Sequence, residues 1–263
     1  MQFSSDLIRV AHALLGAKSL LILTGAGISA ESGLPTFRQA QSGFWARFSP
    51  HELATPEGFR ADPVRVWGWY TWRRHQLQRA KPNPGHQTIV ELMQRFPSTT
   101  LVTQNVDDLH ERAGSADVIH LHGELNRNRC LRCGKVFHFS DAYQRAIDAL
   151  DLSQAEQGHF EALPPDCPHC GGVQRPDVVW FGEPLPLQAW AAAEQAARCA
   201  DVVLCVGTSG LVYPAASLPE IAATQGAFCV QINPESTALD AVFDVWLQGA
   251  AGTVLPALLR AID

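Results

Sequence analysis

The sequence predicts an α/β fold: a parallel sheet with helices on both faces, carrying a smaller satellite that the chain builds in two excursions. Three observations point there. Short apolar runs alternate with stretches of helical period, the pattern of strands joined by crossover helices. Each run ends in glycine or short polar residues, and open α/β sheets bind ligands at that carboxyl edge. Two long segments, 39–79 and 124–175, break the alternation and read as the excursions.

In chain order, residues 1–16 read as an amphipathic helix with Leu7, Val10, Ala11, Leu14 and Leu15 on one face. Residues 19–23 form an apolar strand that runs into Thr24-Gly25-Ala26-Gly27. The first excursion is rich in aromatics (Phe44, Trp45, Phe48, Phe59, Trp67, Trp69, Tyr70, Trp72) and contains a predicted helix over 63–79. A helix over 85–95 leads to a strand at 101–103, the polar cluster Gln104-Asn105-Val106-Asp107-Asp108 and a short helix over 107–113. A strand at 118–121 ends in His122-Gly123. The second excursion has almost no strand-like core. Beyond it come a helix over 187–199, a strand at 202–206, a helix over 215–225, a strand at 228–232 and a helix over 253–262. The expected division is a nucleotide-binding domain from 1–38, 80–123 and 176–263, a helical insertion at 39–79 and a metal-binding module at 124–175.

Composition narrows the function classes. With 263 residues, 46% hydrophobic and 17% charged, the chain is globular and long enough for a substantial core. A net charge of −6 repels polyphosphate, so nucleic acid is not an expected partner. All but three of the 20 basic residues are arginine (Lys18, Lys81 and Lys135 are the lysines), so a cationic site here is a guanidinium site suited to carboxylate or phosphate. No run reaches the roughly 20 apolar residues of a membrane span, and the first helix lacks the basic segment of a secretion signal. Seven cysteines, an odd number, suit a reducing cytoplasm; Cys199, Cys205 and Cys229 read as core residues.

Two constellations carry chemistry of their own. Cys130-x2-Cys133 and Cys167-x2-Cys170 are each able to chelate from one tight turn, and four thiolates make a closed tetrahedral site for one structural Zn2+; a redox dithiol is the alternative. His169, between two ligands, is expected in solvent. The turn Gly25-Ala26-Gly27-Ile28-Ser29-Ala30-Glu31 follows a strand and opens a helix, so its small residues let backbone N–H groups approach a pyrophosphate; a plain structural turn is the alternative. Beyond it, Pro35-Thr36-Phe37-Arg38 places a ring and a guanidinium where they can cover a nicotinamide ribose and pair with phosphate.

These motifs together resemble the sirtuin family. Gly25 to Ser29, Thr103-Gln104-Asn105-Val106-Asp107, His120-Leu121-His122-Gly123, the paired CxxC motifs, Pro176 to Glu183 and Gly207-Thr208-Ser209 stand in sirtuin order across nearly the whole chain. The resemblance implies a Rossmann-like domain with a zinc-bearing small domain, and an NAD-dependent protein-lysine deacylase that consumes NAD and releases nicotinamide and O-acyl-ADP-ribose. Within the family the chain resembles the bacterial members that remove succinyl and malonyl groups. It implies His122 as the general base, an imidazole suited to taking a proton from a ribose hydroxyl, with His120 on the opposite face of its strand. Gln104, Asn105, Val106 and Asp107 would line the nicotinamide and ribose pocket, although Gln104 and Asn105 can also be read as a helix cap. Gly207, Thr208 and Ser209 would approach phosphate and ribose, Asn233, Pro234 and Glu235 the adenosine ribose, and Ala251 the adenine. Val178, Phe181, Gly182 and Glu183, with Val212 opposite, would hold an acyl-lysine protein substrate as an extended peptide. A monomer is expected.

Tyr70 and Arg73 sit one helical turn apart and match the Tyr-x-x-Arg of those acidic-acyl sirtuins, where phenol and guanidinium close on one carboxylate. Ala54 resembles the small residue that widens their acyl pocket. The alternative makes Tyr70 core and Arg73 solvated, like Arg74 and Arg79. Gln39 replaces a common glycine, and Arg175 carries no reading. Two other function classes share these residues: an ADP-ribosyltransferase acting on protein, and a non-catalytic NAD or acyl-lysine binding module.

Overall fold

The structure, a computed structural model, describes residues 4–35, 50–138 and 162–263. Thr36, Phe37, Arg38, Gln39, Phe44, Trp45, Phe48 and the loop expected at 154–159 lie outside the described residues.

Six strands form one all-parallel sheet: β1 Leu20–Thr24, β2 Thr99–Thr103, β3 Ile119–His120, β7 Val202–Val206, β8 Phe228–Asn233 and β9 Val245–Gln248, in the order β3-β2-β1-β7-β8-β9. Strand pleating sorts the core. In β1, Leu20 and Ile22 face the helices Ser5–Gly16, Pro84–Arg95 and Ala251–Ile262, while Leu21 and Leu23 face Leu187–Cys199 and Ser217–Thr224. In β7, Val202, Leu204 and Val206 take the first side and Val203 and Cys205 the second. The alternation of strands and helices therefore gives the Rossmann-like architecture it predicts. The strand order reverses direction after β1, which places the ligand crevice beyond the carboxyl ends of β1 and β7.

The satellite has more structure than the sequence suggests. β4 Gly123–Cys130 pairs antiparallel with β5 Val136–His138 and with β6 Gln174–Val178, a three-stranded sheet where little strand-like core is expected. Its strands are polar because Arg127 and Arg129 on β4 pair with Asp177 on β6, so ion pairs take the place of an apolar pattern. The helix Pro63–Arg79 lies against this sheet. Its Trp67, Trp69, Tyr70 and Trp72 pack with Phe59, Leu125, Val178 and Trp180 into a separate aromatic core. Asp62 caps it by accepting from Arg65 N.

Three smaller expectations need correction. Leu15 is 58% exposed, because the first helix buries Leu7, Val10, Ala11 and Leu14 only. Cys199 is exposed at a helix end, whereas Cys205 and Cys229 are buried. Arg74 is buried rather than solvated: its Nε donates to the Leu125 carbonyl at 2.8 Å and Nη2 to Asn128 Oδ1 at 2.9 Å, tying the helix to β4.

Candidate active site

A cavity of about 890 Å³ opens where the parallel sheet meets the satellite. The strand-end residues of β1, β2, β7 and β8 form one side of it, and the Pro63–Arg79 helix with residues 178–183 the other.

On the sheet side, two loops touch through glycines. Gly27 N donates to the Gly207 carbonyl at 2.8 Å, and Gly207 N to the Ile232 carbonyl at 2.9 Å. A Cβ on Gly27 would stand 2.6 Å from Gly207 Cα, and Gly207 holds a φ of 62°. Only glycine at both positions permits this approach, which leaves a bare backbone cradle fit for a pyrophosphate. The helix it opens is short: Ala26–Ser29, then one 3-10 turn over Ala30–Ser32 that ends at Gly33. Glu31 lines the cavity, and its carboxylate accepts from Gly252 N at 2.6 Å. Pro35 lines it too. On the β8 side, Asn233 Nδ2 donates to the Thr208 carbonyl at 2.7 Å; Ser209, Pro234 and Glu235 complete this wall. Ala251 does not reach the cavity: it starts the last helix, buried in the core, and Ala250 forms the wall there.

Between the two sides stand the polar groups. His122 Nδ1 donates to the Gln104 carbonyl at 2.8 Å, which fixes the tautomer and leaves Nε2 as a proton acceptor. Burial holds this imidazole below its ordinary value, with the Gln104 carbonyl opposing, so the ring is neutral at pH 7. Asn105 Nδ2 donates to the Gly25 carbonyl and to Ser29 Oγ, each at 3.2 Å, and its backbone N–H to Thr103 Oγ1. The amide therefore ties β2 to the glycine turn rather than capping a helix. Asp107 accepts from Ser29 Oγ at 3.0 Å and from Leu109 N, and burial raises its carboxyl to about 6. Val106 lines the cavity beside them. His120 stays outside the cavity. His122 lies in the turn that follows the two-residue strand, and His120 Nδ1 bonds the Asn105 carbonyl at 3.1 Å. Its Nε2 bonds the Glu111 carboxylate at 2.7 Å.

On the satellite side, Tyr70 and Arg73 both line the cavity, one turn apart, with Ala54 nearby. The Tyr70 hydroxyl accepts from Trp180 Nε1 at 2.8 Å. The half-buried Arg73 guanidinium lies 4.9 Å from the Trp69 ring centroid and 5.6 Å from that of Tyr70. Among the described residues it has no carboxylate within ion-pair distance, and burial lowers its pKa. Val178, Phe181, Gly182 and Val212 line the mouth. Glu183 does also, but its carboxylate is committed to Arg175 and to Trp180 N, and the Val179 and Phe181 amides already donate to the His122 and Ala54 carbonyls. Arg175 is thus a buried organiser that the sequence reading passes over. The run before Val178 also holds Gln174 and Asp177, so nothing local sets Arg175 apart.

The four cysteine Sγ atoms all lie within 4.8 Å of one another, with Cys130–Cys170 at 3.5 Å and Cys133–Cys167 at 3.8 Å. Four sulfurs at about 2.3 Å from a tetrahedral Zn2+ are about 3.8 Å apart, so the set fits one ion and leaves no open position. His169 is exposed beside it.

The model of the Sir2 family matches residues 25–214. The NAD-dependent protein deacylase of Methylococcus capsulatus is 49% identical over 262 residues, covering 100% of this chain and 98% of that protein. A crystal structure of a Sir2 homolog–NAD complex is 43% identical with a TM-score of 0.84, covering 97% of this chain and 93% of the other. The structure of Sir2Af2 bound to a myristoylated histone peptide is 33% identical with a TM-score of 0.77, over 99% and 97% of the two chains. The glycine cradle, the neutral histidine, the four-thiolate site and these likenesses have one reading: the chain belongs to the Sir2 family.

Proposed function

We propose that this protein is an NAD-dependent protein-lysine deacylase that acts on carboxylate-bearing acyl groups, succinyl, malonyl and glutaryl, besides acetyl. The observation that carries the acyl preference is Arg73. A half-buried guanidinium on a cavity wall, set among aromatic rings with no carboxylate partner among the described residues, calls for an anion from the ligand. Backbone at Gly25, Gly27 and Gly207 would hold the NAD pyrophosphate, with Asn233 and Glu235 toward the adenosine ribose. Bound NAD supplies the electrophilic ribose carbon to which the acyl oxygen adds as nicotinamide leaves. Asn105 and Asp107, tied to Ser29, would orient the nicotinamide ribose, and His122 Nε2 would take the proton of its hydroxyl. An extended peptide would enter between residues 178–183 and Val212. Seven free cysteines, four of them a metal set, support a reducing cytoplasm, and the reading takes the protein to be a monomer.

Mass spectrometry of a succinyl-lysine peptide incubated with protein and NAD tests the activity. O-succinyl-ADP-ribose is the expected product; ADP-ribosylated protein, or no product, would overturn it. Arg73→Met tests the acyl preference. Losing a charge-assisted contact in a partly desolvated pocket costs roughly 2–4 kcal/mol, so the succinyl-to-acetyl ratio of kcat/KM is expected to fall about 30- to 1000-fold. An unchanged ratio sinks the preference and leaves deacylation standing.

A further inference from the structure

Tyr70 is 2% exposed yet lines the cavity. A phenol has one proton to give and lone pairs to receive, and an indole N–H can only give. Trp180 Nε1 fills one lone pair of the Tyr70 oxygen at 2.8 Å, while among the described residues the phenolic proton has no acceptor. Burial raises the Tyr70 pKa, so that proton stays in place at neutral pH.

The indole is itself fixed. The Arg175 guanidinium stacks on it, 3.4 Å from the ring centroid. Arg175 donates to Glu183 through both terminal nitrogens and to the Val178 carbonyl at 2.7 Å. Glu183 also accepts from Trp180 N at 2.8 Å, and Phe59 packs 5.3 Å away. Turning the ring would break its hydrogen bond to Tyr70 and its stack on Arg175. A cation on the indole face strengthens its N–H as a donor, and an oxygen that accepts a strong hydrogen bond donates its own proton more strongly.

We propose that Trp180, held by Arg175 and Glu183, is a positioning residue for acyl selectivity: its indole N–H fixes the Tyr70 hydroxyl so that the phenolic proton is offered to a ligand carboxylate. This rests on the carboxylate reading of Tyr70 and Arg73. The test is the succinyl-to-acetyl ratio of kcat/KM on one peptide, in which losses common to both substrates cancel. Trp180→Phe keeps an aromatic ring and removes the N–H; the ratio is expected to fall about three- to tenfold, the effect of one neutral hydrogen bond. In a Tyr70→Phe background the same substitution should lower the ratio no further. If Trp180→Phe cannot be purified folded, β-(3-benzothienyl)alanine at 180 keeps the bicyclic shape without the N–H and should lower the ratio equally. A wild-type ratio in either variant, with Arg73→Met and Tyr70→Phe both lowering it, overturns the inference alone. A full further drop in the Tyr70→Phe background overturns it too, because Trp180 would then act independently of the phenol. An unchanged ratio in Arg73→Met removes the carboxylate reading and this inference with it.

Discussion

His122 makes one hydrogen bond through its side chain, to the Gln104 carbonyl, and that bond decides which nitrogen is free. Replacing it by Ala removes the proton acceptor and little else that holds the fold. His122→Ala should lower kcat/KM by at least about 10²- to 10⁴-fold while circular dichroism and zinc content stay as in the wild type. Substantial turnover by that folded variant would remove the base assignment. Because burial holds His122 below the ordinary 6.5, the acid limb of kcat/KM should fall below pH 6.5, and a limb above that value would contradict a desolvated base. Asp107 carries a stability cost of the same origin, burial, with its pKa moved the opposite way. Its carboxyl is raised from 3.8 to about 6, so between those values the folded protein binds more protons than the unfolded chain. Stability therefore falls as pH rises through that window, and the cost stays constant above it. Asp107→Asn cannot titrate, so at pH 8 it should be more stable than the wild type by on the order of 2–3 kcal/mol, with the gain fading toward pH 4. Urea denaturation at the two pH values measures this, and an equal difference at both would show that desolvation of Asp107 is not the cause.

The elements that hold these residues differ in how much the chain announces them. β1, β7 and β8 were legible as apolar runs because both their faces are covered by helices. β9 was not, since an edge strand of four residues alternates buried Val245 and Leu247 with exposed neighbours over too short a span. β4 and β6 were missed because each sends one apolar side chain, Leu125 and Val178, into the aromatic core, while ion pairs to Asp177 and hydrogen bonds to backbone carbonyls tie the rest. The glycine turn was legible as a turn, but its partner was not. That Gly27 meets Gly207 follows from the parallel pairing of β1 with β7, which is a fact of topology with no local signature. The same gap explains Trp180: Val178 to Glu183 reads as a motif, while the bond from its indole to Tyr70 spans 110 residues. The contact between the loops makes a direct prediction. A Cβ on Gly207 would lie 2.5 Å from Ile28 N, against backbone that cannot swing aside, at a φ that L-residues avoid. Gly207→Ala should cost about 1–3 kcal/mol in stability and weaken NAD binding measured by calorimetry. Wild-type stability together with wild-type affinity would mean the cradle tolerates a side chain.

Across the whole molecule, the zinc site and the candidate base are joined by one pair of strands. β4 starts at Gly123, directly after His122, and ends at the ligand Cys130; β6 runs back from Gln174 to Val178 at the cavity. An eight-residue strand spans roughly 23 Å, so the metal acts at a distance through this pairing rather than at the reaction. Among the described residues, the cores on the two faces of the parallel sheet contain no residue of the 124–175 segment, so the sheet is expected to hold without the ion. The aromatic core does depend on it, through Leu125 and Val178. Removing zinc should therefore loosen the satellite and leave the sheet closed. After chelation verified by metal analysis, amide exchange should rise first over residues 130–138 and 162–178, while β1, β2, β7 and β8 keep their protection. Deacylation should fall with the exchange protection of β6 and return when Zn2+ is added back, since what is lost is the placement of Val178 and Trp180 against Tyr70. Global loss of protection on chelation would show that the sheet and the satellite form one cooperative unit. Full activity in verified zinc-free protein would show that the thiolate site does not hold β4 and β6 in place.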